Sequence, residues 1–301
     1  MSKRSIIHML DPMAHNSPFD INMALDAGYD VLMPYSNVTL EEIPSLTQDA
    51  IFSRGPKGVK MTSLFIGGRD IGLAMDMLDA AKKAMVPPFE ISVFADPSGA
   101  FTTAAALVAC VEKELKDKHN ASYEGARVVC FGGTGPVGLA TAVIAAQAGA
   151  DTTIVDHFSI DIALEMADEA KQRYGVELHA TTAASDADKA RLVSNADVIF
   201  CTAKAGIQVI NASVLADAKQ LKVAGDVNAV PPLGIEGVDL MDFGVPLQHT
   251  VNCTGAVGIG SLAVGNIKYK LQQAMLKQTL EAEKPVYLDF RDAFEGARKL
   301  V

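Results

Sequence analysis

The sequence predicts an α/β fold in two lobes, and three observations carry that prediction. Short apolar runs alternate with helical patterns along most of the 301 residues, the rhythm that builds parallel sheets wrapped by helices. A glycine-rich turn, GGTGPVG, stands between an apolar strand and an Ala-rich helix near the middle of the chain. Ahead of it the polar stretch KDKHNASYEG, residues 116–125, loses apolar periodicity and reads as a linker, with the boundary near Ala121. At about 100 to 200 residues per domain, the length suits two lobes.

In the first lobe SIIHML is followed by a helix over FDINMALDAG, then DVLMPY, then a helix near VTLEEIPSL. AIFS continues the rhythm as a short apolar run. SLFIGG precedes a helix from Arg69 to about Met85, and EISVFAD precedes a long Ala-rich helix from about Gly99 to Lys118. The second lobe predicts strands at 127–131, 152–155, 176–180 and 197–201 and helices at 136–148, 160–174 and 186–194, a doubly wound pattern. LKVAGDV and QHTVNC read as further strands. The glycine-rich segment GAVGIGSLAVGN then leads into a helix from about Ile267 to Glu283, expected to pack back on the first lobe. Residues 1–120 with 262–301 form the expected substrate domain, and 121–261 a Rossmann-like dinucleotide-binding domain.

Composition narrows the class. Net charge is −10, Trp is absent and Tyr numbers six, which disfavours nucleic acid, anionic membranes and aromatic-lined platforms. Cys110, Cys130, Cys201 and Cys253 lie far apart in apolar segments, as reduced thiols do. The start, MSKRSIIHML, meets Asp11 too soon for an export signal, and no run reaches a membrane span. HExxH, CxxC, GxSxG and P-loop motifs are absent. A cytoplasmic metabolic enzyme without metal or flavin is expected.

In the glycine turn, Gly133 suits the tight bend, Gly135 lets the backbone approach a pyrophosphate, and Gly138 permits close helix-to-strand packing. Thr134, Pro136 and Val137 complete the turn and open the helix; the alternative is a turn kept for packing alone. Asp156, at the end of the next strand, can accept ribose hydroxyls and repel a 2′-phosphate, which favours NAD over NADP. It could instead cap the following helix, and a protonated His157 would tolerate NADP. Thr202, Ala203, Asp226 and Asn228 end two later strands, where ligands lie in open α/β sheets; turn formation explains each as well. Gly258, in the second glycine-rich segment, completes the cofactor-side set.

In the first lobe Asp11, Asp20, Lys60, Asp96, Phe101, Thr102 and Thr103 fall at strand ends or helix starts and are candidates for the substrate side of an interlobe cleft. Asp20 also suits a helix cap, Asp96 a turn, and the threonines a helix start. Arg54, Lys57 and Lys60 form a basic loop that suits either an anionic tail or solvent. Lys268 and Lys270 open the last long helix, at the end where the dipole disfavours cations; Lys268 is a candidate on that ground. Of the scattered histidines, neither His8 in the first strand nor His249 in the last has a neighbouring carboxylate in sequence to mark a proton relay, and the lack of an obvious general base suggests hydride chemistry that moves no proton.

Together RSIIHML, SPFDINMALDAG, SLTQDAIFSRGP, SLFIGG, VPPF, FADPSGAFTTAA, GGTGPVG, DVNAVPPLGI, GIGSLAVGNIKYK and LDFRDAF resemble the NAD(P)-dependent methylene-tetrahydromethanopterin dehydrogenases of methylotrophic bacteria over nearly the whole chain. The resemblance implies hydride transfer from the methylene carbon of 5,10-methylene-tetrahydromethanopterin to NAD(P), giving the 5,10-methenyl cation, in one-carbon (formaldehyde) oxidation. It implies a pterin-positioning role for Lys268 and a homo-oligomer, a trimer or an assembly of trimers. Strictly NADP-dependent relatives carry Gly-Arg-Lys where this chain has Asp156-His157-Phe158, a departure that supports NAD. Two rivals stay open: a methylene-tetrahydrofolate dehydrogenase and a non-catalytic NAD(H)-sensing module.

Overall fold

A computed structural model describes residues 4–301; the basic start, residues 1–3, lies outside them, so the reading of the first residues falls partly outside the description. In chain order the strands are β1 (Ile6–Leu10), β2 (Val31–Tyr35), β3 (Thr62–Ile66), β4 (Ser92–Ala95), β5 (Arg127–Phe131), β6 (Asp151–Asp156), β7 (His179–Thr182), β8 (Val198–Cys201), β9 (Val223–Asp226), β10 (Phe243–Pro246), β11 (Val257–Ile259) and β12 (Tyr287–Leu288). The helices are α1 (Pro18–Asp26), α2 (Ile43–Phe52), α3 (Gly55–Val59), α4 (Ile71–Lys83), α5 (Ala100–His119), α6 (Pro136–Gln147), α7 (Ile160–Tyr174), α8 (Asp186–Val193), α9 (Ala212–Ala216), α10 (Ser261–Glu281) and α11 (Phe290–Ala297).

Contacts divide the chain into two compact units. Unit 1 holds the residues up to Thr102 together with Tyr269–Gly296. Unit 2 holds Thr103–Lys268 with a few residues at the very end. The division therefore falls inside α5 and inside α10, not near Ala121 and residue 261. The physical reason is packing: α5 is buried along Ala104–Val111, and its Leu107 and Val111 lie against Gly225 of β9.

Unit 1 is a parallel sheet in the order β2-β1-β3-β4-β12. β3 and β4 are buried at every residue, as strands covered on both faces must be. The chain steps from β1 out to β2 and returns past β1 to β3, so the order reverses between β1 and β3, where such sheets open a crevice beyond their strand ends. Local signals set the helices. Ser17 caps α1 with Pro18 behind it, and Asp70 caps α4, accepting from the Leu73 amide at 2.9 Å. The C-terminal elements belong to this sheet's layers. Gln272 of α10 donates to Asp20 at 2.7 Å, and Tyr29 and Thr279 share a hydroxyl bond of 2.8 Å.

Unit 2 has the order β7-β6-β5-β8-β9-β11-β10, parallel except for β10 against β11. The chain leaves β5 for β6 and β7, then crosses back to β8, so this reversal lies between β5 and β8. α7 is capped by Ser159 and stopped by Gly175 at φ 69°, and α8 opens with a Ser185–Asp188 capping box.

Four expectations move. AIFS is the end of α2, whose buried Ile43, Thr47, Ala50 and Ile51 follow helical spacing; four apolar residues alone do not separate strand from helix. The strand expected at 176–180 is β7, starting at His179. QHTVNC is a turn region in which Thr250 Oγ1 donates to the Leu247 carbonyl at 3.1 Å, and the strands are β10 and β11 on either side of it. α10 starts at Ser261, six residues earlier than expected.

Candidate active site

The glycine turn follows β5, at the order reversal of unit 2. The left-handed residue there is Gly132, at φ 74°, rather than Gly133; a Cβ on Gly132 would lie 2.7 Å from the Ala203 Cα and nitrogen. Gly133 is needed for contact with the next strand, since its Cβ would meet the Cys130 carbonyl and Ile154 Cβ at 2.8 Å. Gly138 presses on the Gly132 carbonyl, and its Cβ would sit 2.7 Å from Thr202 Oγ1. Gly135 differs. A Cβ there would meet only the Gly132 carbonyl, at an ordinary 3.5 Å, and its φ of −77° suits any residue. Packing within the chain does not require glycine at that position, whereas a ligand approaching the backbone does. Gly135 also caps α6, with Pro136 and Val137 opening the helix, so free amides face that space. The turn thus fits a dinucleotide pyrophosphate.

Asp156 ends β6 beside the turn. Its Oδ2 accepts from Thr134 Oγ1 at 2.6 Å, and its Oδ1 from the amides of Phe158 at 2.8 Å and Ser159 at 2.9 Å. Burial raises its pKa, but these hydrogen bonds and the neighbouring His157 outweigh burial and hold the carboxyl below its usual range. The following helix is capped by Ser159 instead, so Asp156 closes the turn rather than capping α7. His157 is exposed, with Nδ1 3.3 Å from the Ala183 carbonyl and its ring edge-on to Phe158.

Thr202 braces the turn, donating to the carbonyls of Phe131 at 3.0 Å and Gly132 at 3.2 Å, while the Ala203 backbone lies against Gly132. Asp226 is buried and turned inward. Burial pushes its carboxyl up, while the amides of Asn228, Ile235 and Gly234 pull it back without cancelling the rise. Asn228 accepts from the Gly206 and Val230 amides and donates to the Pro232 carbonyl. Both residues shape the loop after β9, in which Gly234 fits against Cys201 Sγ because it lacks a Cβ. Gly258 sits within β11, where a Cβ would lie 3.0 Å from Val238 and 3.2 Å from Leu247, so packing accounts for a glycine there.

In unit 1 the order reversal brings together residues that follow β1, β3 and β4. Asp11 is buried and accepts from the Met13 amide at 2.8 Å. A Cβ on Gly67 would lie 2.5 Å from Asp11 Oδ2, and one on Gly68, at φ 102°, 2.9 Å from Pro12 Cγ. Ser98 holds a left-handed φ of 53° and donates to the Gly68 carbonyl at 2.7 Å. Asp96 accepts from the Thr102 hydroxyl at 2.6 Å and amide at 3.1 Å. A strained non-glycine residue beside a buried carboxylate at a reversal is what a ligand-holding edge looks like.

The other first-lobe candidates separate from this edge. Lys60 precedes β3, at the opposite, amino-terminal edge, where it lines a cavity of about 240 Å³ with Thr62, Ser92 and Thr279. Phe101 is fully buried against Phe290, with ring centroids 5.4 Å apart; it is core. Asp20 is buried in α1 and bonded to Gln272, and Thr102 is committed to Asp96. Thr103 is half-buried. Lys268 is half-buried on the eighth residue of α10, beyond the first turn, so the dipole argument for it lapses. The residues that sequence reading missed are Gly132, Gly67, Gly68 and Ser98. The Gly-Gly pair directly after SLFI was the available signal. Among the described residues no group of three or more His, Cys, Asp or Glu is placed to hold a metal ion.

Two doubly wound sheets, one carrying a turn built for a pyrophosphate, define a two-unit dinucleotide-binding protein of the Rossmann class. The solved quinate dehydrogenase of Corynebacterium glutamicum, in complex with NAD, shares that fold at a TM-score of 0.53 and 14% identity, covering 99% of both chains. A family model described as methylene-tetrahydromethanopterin dehydrogenase, N-terminal, matches residues 18–98. Over 295 residues the chain is 48% identical to the NAD(P)-dependent methylenetetrahydromethanopterin dehydrogenase of Methylorubrum extorquens, covering 98% of each. It is also 31% identical over 300 residues to that organism's bifunctional protein MdtA, covering 100% of each. The chain belongs to the NAD(P)-dependent methylenetetrahydromethanopterin dehydrogenase family.

Proposed function

We propose that this chain oxidises 5,10-methylene-tetrahydromethanopterin to the 5,10-methenyl cation with NAD(P) as hydride acceptor, and that NAD is the preferred nucleotide. Its 48% identity along almost the whole length to a dehydrogenase of that name is the observation that carries the reading; the open space at Gly135 supports the nucleotide side. NAD(P), when bound, accepts the hydride. The substrate carbon is flanked by two nitrogens whose lone pairs stabilise the developing cation, so the protein's task is alignment and field rather than proton transfer.

On this reading the Gly132–Gly138 turn and the α6 amides hold the pyrophosphate, Thr202 and Asn228 keep the neighbouring loops in place, and Asp156 accepts from the ribose. The edge formed by Asp11, Gly67, Gly68 and Ser98 is the proposed pterin side, with Lys268 in the positioning role implied by the family. A cytosolic homo-oligomer, a trimer or an assembly of trimers, completes the proposal; no described helix is long and apolar enough to cross a membrane. Steady-state kinetics with methylene-tetrahydromethanopterin and methylene-tetrahydrofolate, each with NAD and NADP, test it. The highest kcat/KM is expected for the methanopterin with NAD. A clear preference for the folate, or tight NAD binding with no turnover on either pterin, would overturn it.

A further inference from the structure

We propose that Thr134 selects the nucleotide jointly with Asp156, its hydroxyl oxygen serving as the second acceptor for the vicinal diol of a ribose. The proposal rests on the reading of NAD as the preferred nucleotide and goes beyond it by assigning a side chain of the pyrophosphate turn to the ribose. Thr134 lies in the turn after β5, and Asp156 ends the adjacent β6, where Phe131 pairs with Val155. The Thr134 hydroxyl has one proton, and it is donated to Asp156 Oδ2 at 2.6 Å. A carboxylate offers about four acceptor sites. Oδ1 spends its two on the amides of Phe158 and Ser159, and Oδ2 spends one on Thr134.

The carboxylate is therefore fixed in orientation with one acceptor site left, on Oδ2. Thr134 Oγ1, its proton committed, presents lone pairs only. Two acceptors stand side by side at 2.6 Å, a spacing that suits the neighbouring hydroxyls of a ribose, and neither can donate to a phosphate. A 2′-phosphate removes one of the two donors and brings about −1.5 to −2 charges against the ionised carboxylate. Thr134 so discriminates twice, by holding Asp156 in place and by requiring a second hydroxyl.

Calorimetric Kd values for NAD and NADP on the full-length protein, with kcat/KM for both nucleotides alongside, test this in Thr134→Val, Thr134→Ala, Thr134→Ser and Asp156→Ala. Loss of the hydroxyl in Thr134→Val should weaken NAD about two- to tenfold, the size of a lost hydrogen bond between neutral groups, and move NADP much less. Thr134→Ala, smaller and lacking the same hydroxyl, must give the same change in the NAD to NADP ratio, and Thr134→Ser must restore the wild-type ratio. Equal weakening of both nucleotides in the Val and Ala variants would make Thr134 a brace of the turn and overturn the proposal. A wild-type ratio in those variants with a shifted ratio in Asp156→Ala would overturn it too, leaving the NAD reading intact. An unshifted ratio in Asp156→Ala would instead remove the NAD reading on which it rests.

Discussion

At the scale of single residues, the four glycines of the turn divide into three that packing within the chain requires and one, Gly135, that it does not. Gly138 has no room for a methyl group between the Gly132 carbonyl and Thr202, so Gly138→Ala should destabilise unit 2 by about 1 to 3 kcal/mol, as overpacking does. Gly135→Ala has room and ordinary dihedrals. Its stability should stay within about 1 kcal/mol of wild type, the scale of a changed cap, while the calorimetric Kd for NAD rises. Urea denaturation of both variants beside NAD titration checks the pair; a Gly135→Ala protein that binds NAD normally would remove that residue from the pyrophosphate site. The glycine motif and Asp156 were legible from the sequence because spacing after a strand dictates them. Lys60 went to the other edge because strand-end positions occur at both edges of a sheet and only pairing register tells which, whereas Phe101 and Gly258 are taken up by tertiary packing that residue type and position do not reveal. Asp11 and Asp96, after β1 and β4, share one edge of the sheet, but Gly67 and Gly68 looked like the tail of an apolar run.

Among the elements, α5 carries an unusual burden. Glu114 lies on it, 4% exposed, with Oε2 buried and lacking a hydrogen-bond partner, pressed against Gly244 of β10 at φ 69°. Burial raises its pKa, opposed by Lys118 and Lys113 and aided by Asp117. A carboxyl whose folded pKa exceeds its unfolded value binds more protons in the folded state, so its contribution is most favourable below the unfolded pKa and is lost as pH rises through the folded one. Glu114→Gln should therefore gain stability over wild type as pH rises from 4 to 7. Parallel urea titrations across that range test it, and a difference that stays flat with pH would show that Glu114 is solvated when charged. α5 was found from its Ala-rich pattern within a residue or so at either end, yet it was assigned to the wrong unit. A helix buried on so many faces gives no amphipathic stripe to say which sheet it covers. β10 and β11 escaped for another reason: strands of four and three residues with Gly and Pro have too short a period to register.

For the whole molecule, each sheet reverses its strand order once, the point beyond whose strand ends such folds bind ligands, and strand-helix alternation predicted the fold class even where boundaries shifted. Ligand linkage gives a test at this scale. NAD at a hundred times its Kd should stabilise the folded protein by about 2.7 kcal/mol, seen as an upward shift of the calorimetric transition that includes unit 2; a transition that does not move with NAD would contradict the site. The interrupted course of unit 1 has a consequence for biosynthesis. Its edge strand β12 and the partner of Asp20, Gln272, are encoded after residues 103–268. At ribosomal rates that stretch takes on the order of ten to thirty seconds to make. For that interval a nascent chain holds β4 paired with β3 but without its outer neighbour, and a buried aspartate without the Gln272 amide, so the emerging first unit waits on a tail not yet translated, and a message cut short after codon 268 would leave it permanently unfinished.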